Sequence, residues 1–233
     1  GTTNVVNICL ENRVQKLVHV SSVAAVGDGK PGKLITEEEH LELNSNHGGY
    51  FVSKYESEME VFRAVAEGLN AVVVNPSIII GKNAGIEGSG QIFETIRKGM
   101  KYYTGGSNGF VDVEDVAKCM INLMESNITG ERFLINAETW SFYNLFSEIA
   151  IQLKLKPPTI ALKPWMLKLA FYLSKVAAVF TGKNFGLTKD TIRSAFKKQD
   201  YDNTKIKTAI HIEFKPIKQT IDEVCNMIKA KNQ

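Results

Sequence analysis

Cysteine is scarce in this 233-residue chain: Cys9, Cys119 and Cys225 lie far apart and form no Cys-x-x-Cys. That argues against a disulfide framework or a zinc site and fits a reducing compartment, with the cytoplasm as the expected location. The four histidines, His19, His40, His47 and His211, are scattered without ligand spacing and imply no metal. Long uncharged apolar runs are also missing. The aromatic-rich stretch Leu162 to Phe180 is interrupted by Lys168 and Lys175, which argues against a transmembrane span. No repeat, low-complexity tract or signal-like opening segment is present.

What is there suffices for a sizeable core. With 44% apolar residues, one domain, or one domain with a lobe, is expected. The net charge of +3 hides an asymmetry. Residues 1–153 hold 12 basic and 19 acidic side chains, whereas residues 154–233 hold 16 and 6. The basic final third suits phosphate, an anionic membrane surface or a plain solvated face. Nucleic acid is not expected, because the lysines are dispersed and no nucleic-acid module is recognisable.

The run Leu17-Val18-His19-Val20, ending in Ser21-Ser22, reads as a buried strand that delivers hydroxyls to a sheet edge. Tyr50 and Lys54 stand four apart, so a helix carries both on one face. Such spacing is weak by itself, since roughly 0.7 Tyr-x-x-x-Lys pairs arise by chance in this composition. A second pair, Tyr201 and Lys205, has no serine-ended strand before it and reads as background. Tyr50 instead opens an amphipathic helix followed by an almost continuously apolar strand, Asn70 to Ile80, interrupted by Asn75-Pro76-Ser77.

Val20-Ser21-Ser22, Tyr50-x-x-x-Lys54, Val72-Val73-Val74-Asn75-Pro76-Ser77 and the run Gly109 to Ala117, in that order, resemble the extended short-chain dehydrogenase/reductase superfamily. Within it the chain is most similar to the dihydroflavonol-reductase and 3β-hydroxysteroid-dehydrogenase-like branch, often labelled NAD-dependent epimerase/dehydratase. The match runs from Gly1 to about Ala137.

The resemblance implies an α/β fold, the C-terminal part of a Rossmann-like doubly wound parallel sheet with a smaller, mostly helical substrate lobe. Residues 1–153 would form the partial NAD(P)-binding domain, with 82–110 as a lobe insertion, and 154–233 the basic lobe. Catalysis would fall to Ser22, with Ser21 as fallback, Tyr50 and Lys54. The cofactor, NAD or NADP, would meet Ser21, Tyr50, Lys54, Asn75, Pro76 and Ser77. A free phenol, with pKa near 10, is a poor base at neutral pH, and a cation one turn away favours its phenolate. Ser22 would hydrogen-bond the substrate oxygen.

The implied reaction moves hydride to or from a carbonyl or secondary alcohol of a fairly hydrophobic small molecule. Nucleotide-sugar epimerisation or dehydration is the enzymatic alternative. The resemblance also suggests a homodimer through the Tyr50 helix and the one before it. Neither a Gly-x-Gly-x-x-Gly turn nor its ribose-reading residue occurs in the chain, and the glycines at 85, 88 and 90 read as a loop. The chain is therefore expected to start in the middle of a domain. If it truly begins at Gly1, a non-catalytic scaffold becomes the competing expectation.

Along the rest, a helix from about Val5 to Asn12 with a Thr cap is expected, then a polar loop from Lys30 to Gly49 bordering the site. The Tyr50 helix should pack through Tyr55, Met59, Phe62 and Ala66 and end at Gly68. Asp112 and Asp115 suit capping a helix from Val116 to Met124 better than acid/base chemistry. A strand at 132–136 and a helix from Ser141 to Leu153 should precede a boundary at Lys156-Pro157-Pro158. Leu162 to Phe180 could pack in the lobe, cover substrate or lie on a membrane with its lysines toward headgroups. Ile217, Ile221, Val224 and Cys225 form a final docking stripe.

Overall fold

The computed structural model describes residues 1–27, 29, 32–41, 48–82, 88–181 and 189–230, without the side chains of 175–181 and 189–191. Expectations that fall on Asp28, Lys30, Pro31, His47 and Gly85, and on the side chains of Val176 and Phe180, lie outside the described residues.

Three strands, β1 (Leu17–Val20), β2 (Ala71–Pro76) and β6 (Arg132–Ile135), form a parallel sheet in the order β1-β2-β6. Leu17 stands opposite Ala71, and Val73 opposite Arg132. Side chains alternate between faces of a strand, and the Val-rich β2 uses both. Ala71 and Val73 pack with Val6 and Cys9 of α1 (Thr2–Glu11) and with Val61 and Ala64 of α2 (Gly49–Ala66). Val72 and Val74 pack on the other side with Val116, Cys119 and Leu123 of α4 (Val113–Glu125) and Ile206 of α8 (Thr204–Ile210). Helices thus cover both faces, the doubly wound arrangement that a near-continuous apolar strand requires. β1 departs from expectation: it is half-buried to exposed, because it forms an edge of this sheet.

At Ser77 the β2 run breaks and changes neighbours. β3 (Ile78–Ile80) pairs in parallel with β5 (Ser107–Asp112), and β5 pairs antiparallel with β7 (Glu138–Ser141). β4 (Tyr102–Tyr103) and β8 (Ile160–Ala161) make a small separate pair. A second core joins Phe110 of β5, Phe93 and Ile96 of α3 (Gly90–Arg97), and Leu145 and Ile149 of α5 (Phe142–Gln152). The stripe Ile217, Ile221, Val224 and Cys225, on α9 (Ile217–Ala230), docks onto it. Residues 154–233 therefore contribute to both cores as well as carrying α6 (Pro164–Thr181) and α7 (Lys189–Ser194).

Several local expectations are corrected. Gly1, not a threonine, is the N-cap of α1, and no side chain caps it. α4 starts at Val113, three residues early, because Asp112 Oδ1 accepts from the Glu114 N–H at 2.7 Å. Such a cap contributes about 1 kcal/mol. Asp115, fully buried, pairs with Lys118 and accepts from the Lys215 N–H, so both aspartates are structural. β7 was not expected, since only Trp140 interrupts its polar sequence. The packed face of α2 is Glu58, Val61 and Ala64, rotated from the expected stripe, of which Ala66 is exposed. Gly68 does end the helix. It holds φ +104° while the Leu69 N–H donates to the Ala64 carbonyl and its own N–H to that of Val65.

All three cysteines are free and buried. Burial pushes the Cys119 and Cys225 thiols up to about 12. Native protein is thus expected to show neither thiol to Ellman's reagent, and both to react on denaturation. Because the unfolded thiols ionise first, stability they provide at neutral pH should be lost as pH rises from about 9 toward 12. A Cys119→Ala/Cys225→Ala variant should show a shallower alkaline limb in denaturant titrations.

Candidate active site

The carboxyl ends of β1 and β2 open onto a cavity of about 440 Å³. Ser21, Ser22, Tyr50, Pro76 and Ser77, five of the seven expected site positions, line it; Asn75 and Lys54 do not. The arrangement follows from the chain's local geometry. Beyond Val20 the backbone turns into a single 3-10 turn, Val23–Ala25, capped by Ser22, whose Oγ accepts from the Ala24 N–H at 3.2 Å. With that lone pair engaged, the Ser22 hydroxyl proton is left to donate into the cavity. Gly27 ends the turn at φ +110°. A Cβ there would stand 2.9 Å from the His40 carbonyl oxygen, so glycine lets the 39–41 segment close over and set Leu41 in the cavity wall.

Tyr50 sits in the first turn of α2 and is 58% exposed, with its ring at the cavity and edge-on to Phe51. Its carbonyl accepts from Ser53 Oγ, which holds the first turn. Among the described residues no hydrogen bond joins the Tyr50 hydroxyl to Ser22 or Lys54. Lys54 is half-buried one turn further on. Its charge reaches His19 on β1: burial pushes the His19 imidazole below its ordinary value, Glu58 opposes that, and Lys54 adds to it. Among the described residues, His19 Nε2 is buried without a partner.

Asn75 works from behind the cavity. Its amide nitrogen donates to the Ser22 carbonyl at 3.0 Å and to Glu58 Oε2 at 2.7 Å. Glu58 is fully buried, and its other oxygen accepts from Arg132 Nη1 at 3.1 Å. Arg132 also donates to the carbonyls of Glu37 and Glu39, while Glu37 Oε1 takes the Leu134 N–H. One buried carboxylate therefore ties α2, the serine-bearing strand end and the 37–39 segment together. Ser77 Oγ donates to Asn136 Oδ1 at 3.0 Å.

Among the described residues, Ser21 Oγ and Asn75 Oδ1 find no partners here, although both residues are buried. Buried polar atoms are normally satisfied. The Ser21 hydroxyl lines the cavity and suits the amide edge of a ligand there, so the residues present fit a nicotinamide, with Asn75 Oδ1 behind the wall. Among the described residues no cluster of His, Cys, Asp or Glu could hold a metal ion.

The remaining wall was not evident from sequence. Val23, Leu41, Phe51, Ile78 and Ile79 supply apolar surface, and Asn108, Gln199 and Tyr201 polar atoms. Tyr201, buried beside Ile35 and Leu134, belongs to the pair read as background. Its Lys205 turns away to Glu131 at 2.6 Å. No Lys, Arg, Asp or Glu is among the described residues lining the cavity.

Residues 1–136 match the family model described as "NAD dependent epimerase/dehydratase family". A Synechocystis sp. relative that carries a dihydroflavonol 4-reductase name is 26% identical over 228 residues, covering 95% of this chain and 66% of its own length. The 3beta-hydroxysteroid-dehydrogenase/decarboxylase isoform 1 of Arabidopsis thaliana is 25% identical over 263 residues, covering 100% of this chain and 58% of its own. The chain thus spans less than two thirds of either relative. The crystal structure of gox2253 is similar with a TM-score of 0.81 at 26% identity, over 99% of this chain and 71% of that one.

Proposed function

Because the chain belongs to the NAD dependent epimerase/dehydratase family, we propose that it serves an NAD(P)-dependent reductase or dehydrogenase acting on a carbonyl or secondary alcohol. The substrate is a fairly hydrophobic small molecule. The observation that carries this reading is the cavity itself, where Ser22 and Tyr50 converge within a wall free of charged side chains among the described residues. A nucleotide sugar brings a diphosphate, which calls for cationic or densely donating walls; Val23, Leu41, Phe51, Ile78 and Ile79 favour an apolar body instead.

In this reading Tyr50 gives or takes the proton at the substrate oxygen, and Ser22 donates a hydrogen bond to the same oxygen as charge develops. Lys54, one helical turn further on, holds the cofactor ribose. Ser21, Pro76 and Ser77, which line the cavity, form the floor for the nicotinamide, with Asn75 behind them. The bound dinucleotide supplies or accepts the hydride. Asn75 and Glu58 fix the Ser22 backbone so that its hydroxyl stays aimed.

The test is a titration of protein expressed from the complete gene with NADH and NADPH, followed by nicotinamide fluorescence, and then turnover on hydrophobic ketones and on nucleotide sugars. Binding of one dinucleotide with ketone reduction supports the proposal. Turnover of nucleotide sugars alone would move it to the epimerase branch, and binding of neither dinucleotide to a scaffold. A homodimer through α1 and α2 accompanies the reading. Val5 and Ile8 are exposed there, and Tyr55, Met59 and Phe62 are half-buried.

A further inference from the structure

Helix α6 is apolar on two sides and covered on one. Phe171 is buried and, with Ile192 and Phe196, lines a groove between α6 and the α7 region. Trp165, Leu169, Tyr172 and Leu173, by contrast, are 61%, 52%, 63% and 60% exposed. At about 100° per residue these four fall within an arc of roughly 100°; Trp165, Leu169 and Leu173 are turned away from Phe171, and Tyr172 borders the groove with its ring 5.5 Å from that of Phe171. Lys168 stands at the margin of that arc, and Lys163 just precedes the helix; both are exposed.

The charge around this strip has one sign. Between positions 154 and 189 the sequence holds seven lysines and no Asp or Glu. Indole, phenol and leucine side chains beside lysines match the boundary of a bilayer with anionic headgroups. There the rings occupy the interface, and the lysine stems lie along the apolar region with their ammonium groups in the phosphate layer. Among the described residues no helix is long and apolar enough to cross a membrane. A helix of this kind lies in the interfacial plane.

We infer that α6 is a peripheral anchor that docks on an anionic membrane surface through Trp165, Leu169, Tyr172 and Leu173, with the surrounding lysines supplying the charge. Arg193 of α7 lines the α6 groove, while the next residue, Ser194, lines the main cavity, so the anchor sits close to the cavity wall.

Flotation of the purified chain with two kinds of vesicle tests this without any need for cofactor or turnover. One is phosphatidylcholine alone, and the other phosphatidylcholine with about a third phosphatidylserine. Recovery should be at least about tenfold higher with the anionic vesicles and should fall as salt is raised. Tryptophan emission should shift to the blue on binding, since Trp165 is exposed in solution. Trp165→Ala/Leu169→Ala should lower recovery about tenfold with unchanged circular dichroism. Lys163→Ala/Lys168→Ala should remove part of the preference for anionic vesicles. No recovery with either vesicle, equal recovery with both, or full recovery of the Trp165/Leu169 variant overturns the inference. So does a lipid-free dimer that this variant converts to monomer, because the strip would then be a contact between copies.

Discussion

Tyr50→Phe is expected to reduce turnover by about 10²- to 10⁴-fold, the range that a positioned acid/base group contributes, while leaving the thermal transition in place. Both halves of that expectation follow from one position. The ring is 58% exposed at the mouth of the cavity, and surface substitutions of this kind stay within about 0.5 kcal/mol. The rate loss comes from removing a single oxygen, since phenylalanine keeps the edge contact with Phe51. Nicotinamide fluorescence should show nearly unchanged dinucleotide binding. Lys54→Met should act differently, because in the proposed reading Lys54, outside the cavity wall, holds the cofactor ribose. Its nicotinamide fluorescence titration should show weakened dinucleotide binding together with a lower rate. Turnover of Tyr50→Phe within twofold of the parent would remove Tyr50 from the chemistry, and dinucleotide binding unchanged by Lys54→Met would remove the ribose-holding role.

The parts of the molecule that sequence made legible are those written in local pattern. The valine run 72–74 serves both sheet faces and so announces a doubly covered strand. Gly68 and Asp112 stop and start their helices by rules that need no distant partner. The serine pair at the end of β1 and Tyr50 at the start of α2 meet at one cavity because both lie at the carboxyl end of the same sheet. What sequence did not reveal depends on partners far along the chain. Glu58 faces inward only because Arg132, 74 residues away, neutralises it. Of the expected stripe, Phe62 does join the core beside Val61 and Ala64, but the buried face is centred on Glu58, Val61 and Ala64. Tyr201 reaches the cavity through a tertiary return of the chain after α7, which no spacing rule anticipates. β7 forms because β5 offers an antiparallel partner to a segment of weak strand character.

Arg132→Ala is expected to lower stability by about 3–5 kcal/mol, since it strands a fully buried carboxylate. Glu58 Oε1 would lose its cationic partner, and the carbonyls of Glu37 and Glu39 would lose their shared donor. Glu58→Ala should cost a similar amount for the mirror reason, leaving a guanidinium within a nearly closed interior. Because the two groups form one network, the double variant should fall short of the sum by about 0.5–3 kcal/mol. Urea denaturation of the four proteins measures this, and losses below about 1 kcal/mol for either single variant would show that water reaches the pair. Where Arg132→Ala is too unstable to purify, Glu58→Gln keeps the shape, removes the charge and leaves Asn75 a weaker, neutral acceptor. Glu58→Gln also separates support from chemistry. The carboxylate touches Asn75, and Asn75 holds the Ser22 carbonyl at 3.0 Å, so loosening this tie should reduce kcat more than dinucleotide affinity. An equal loss in both would mean that the network supports the fold alone, and that Ser22 is aimed by its own cap at Ala24.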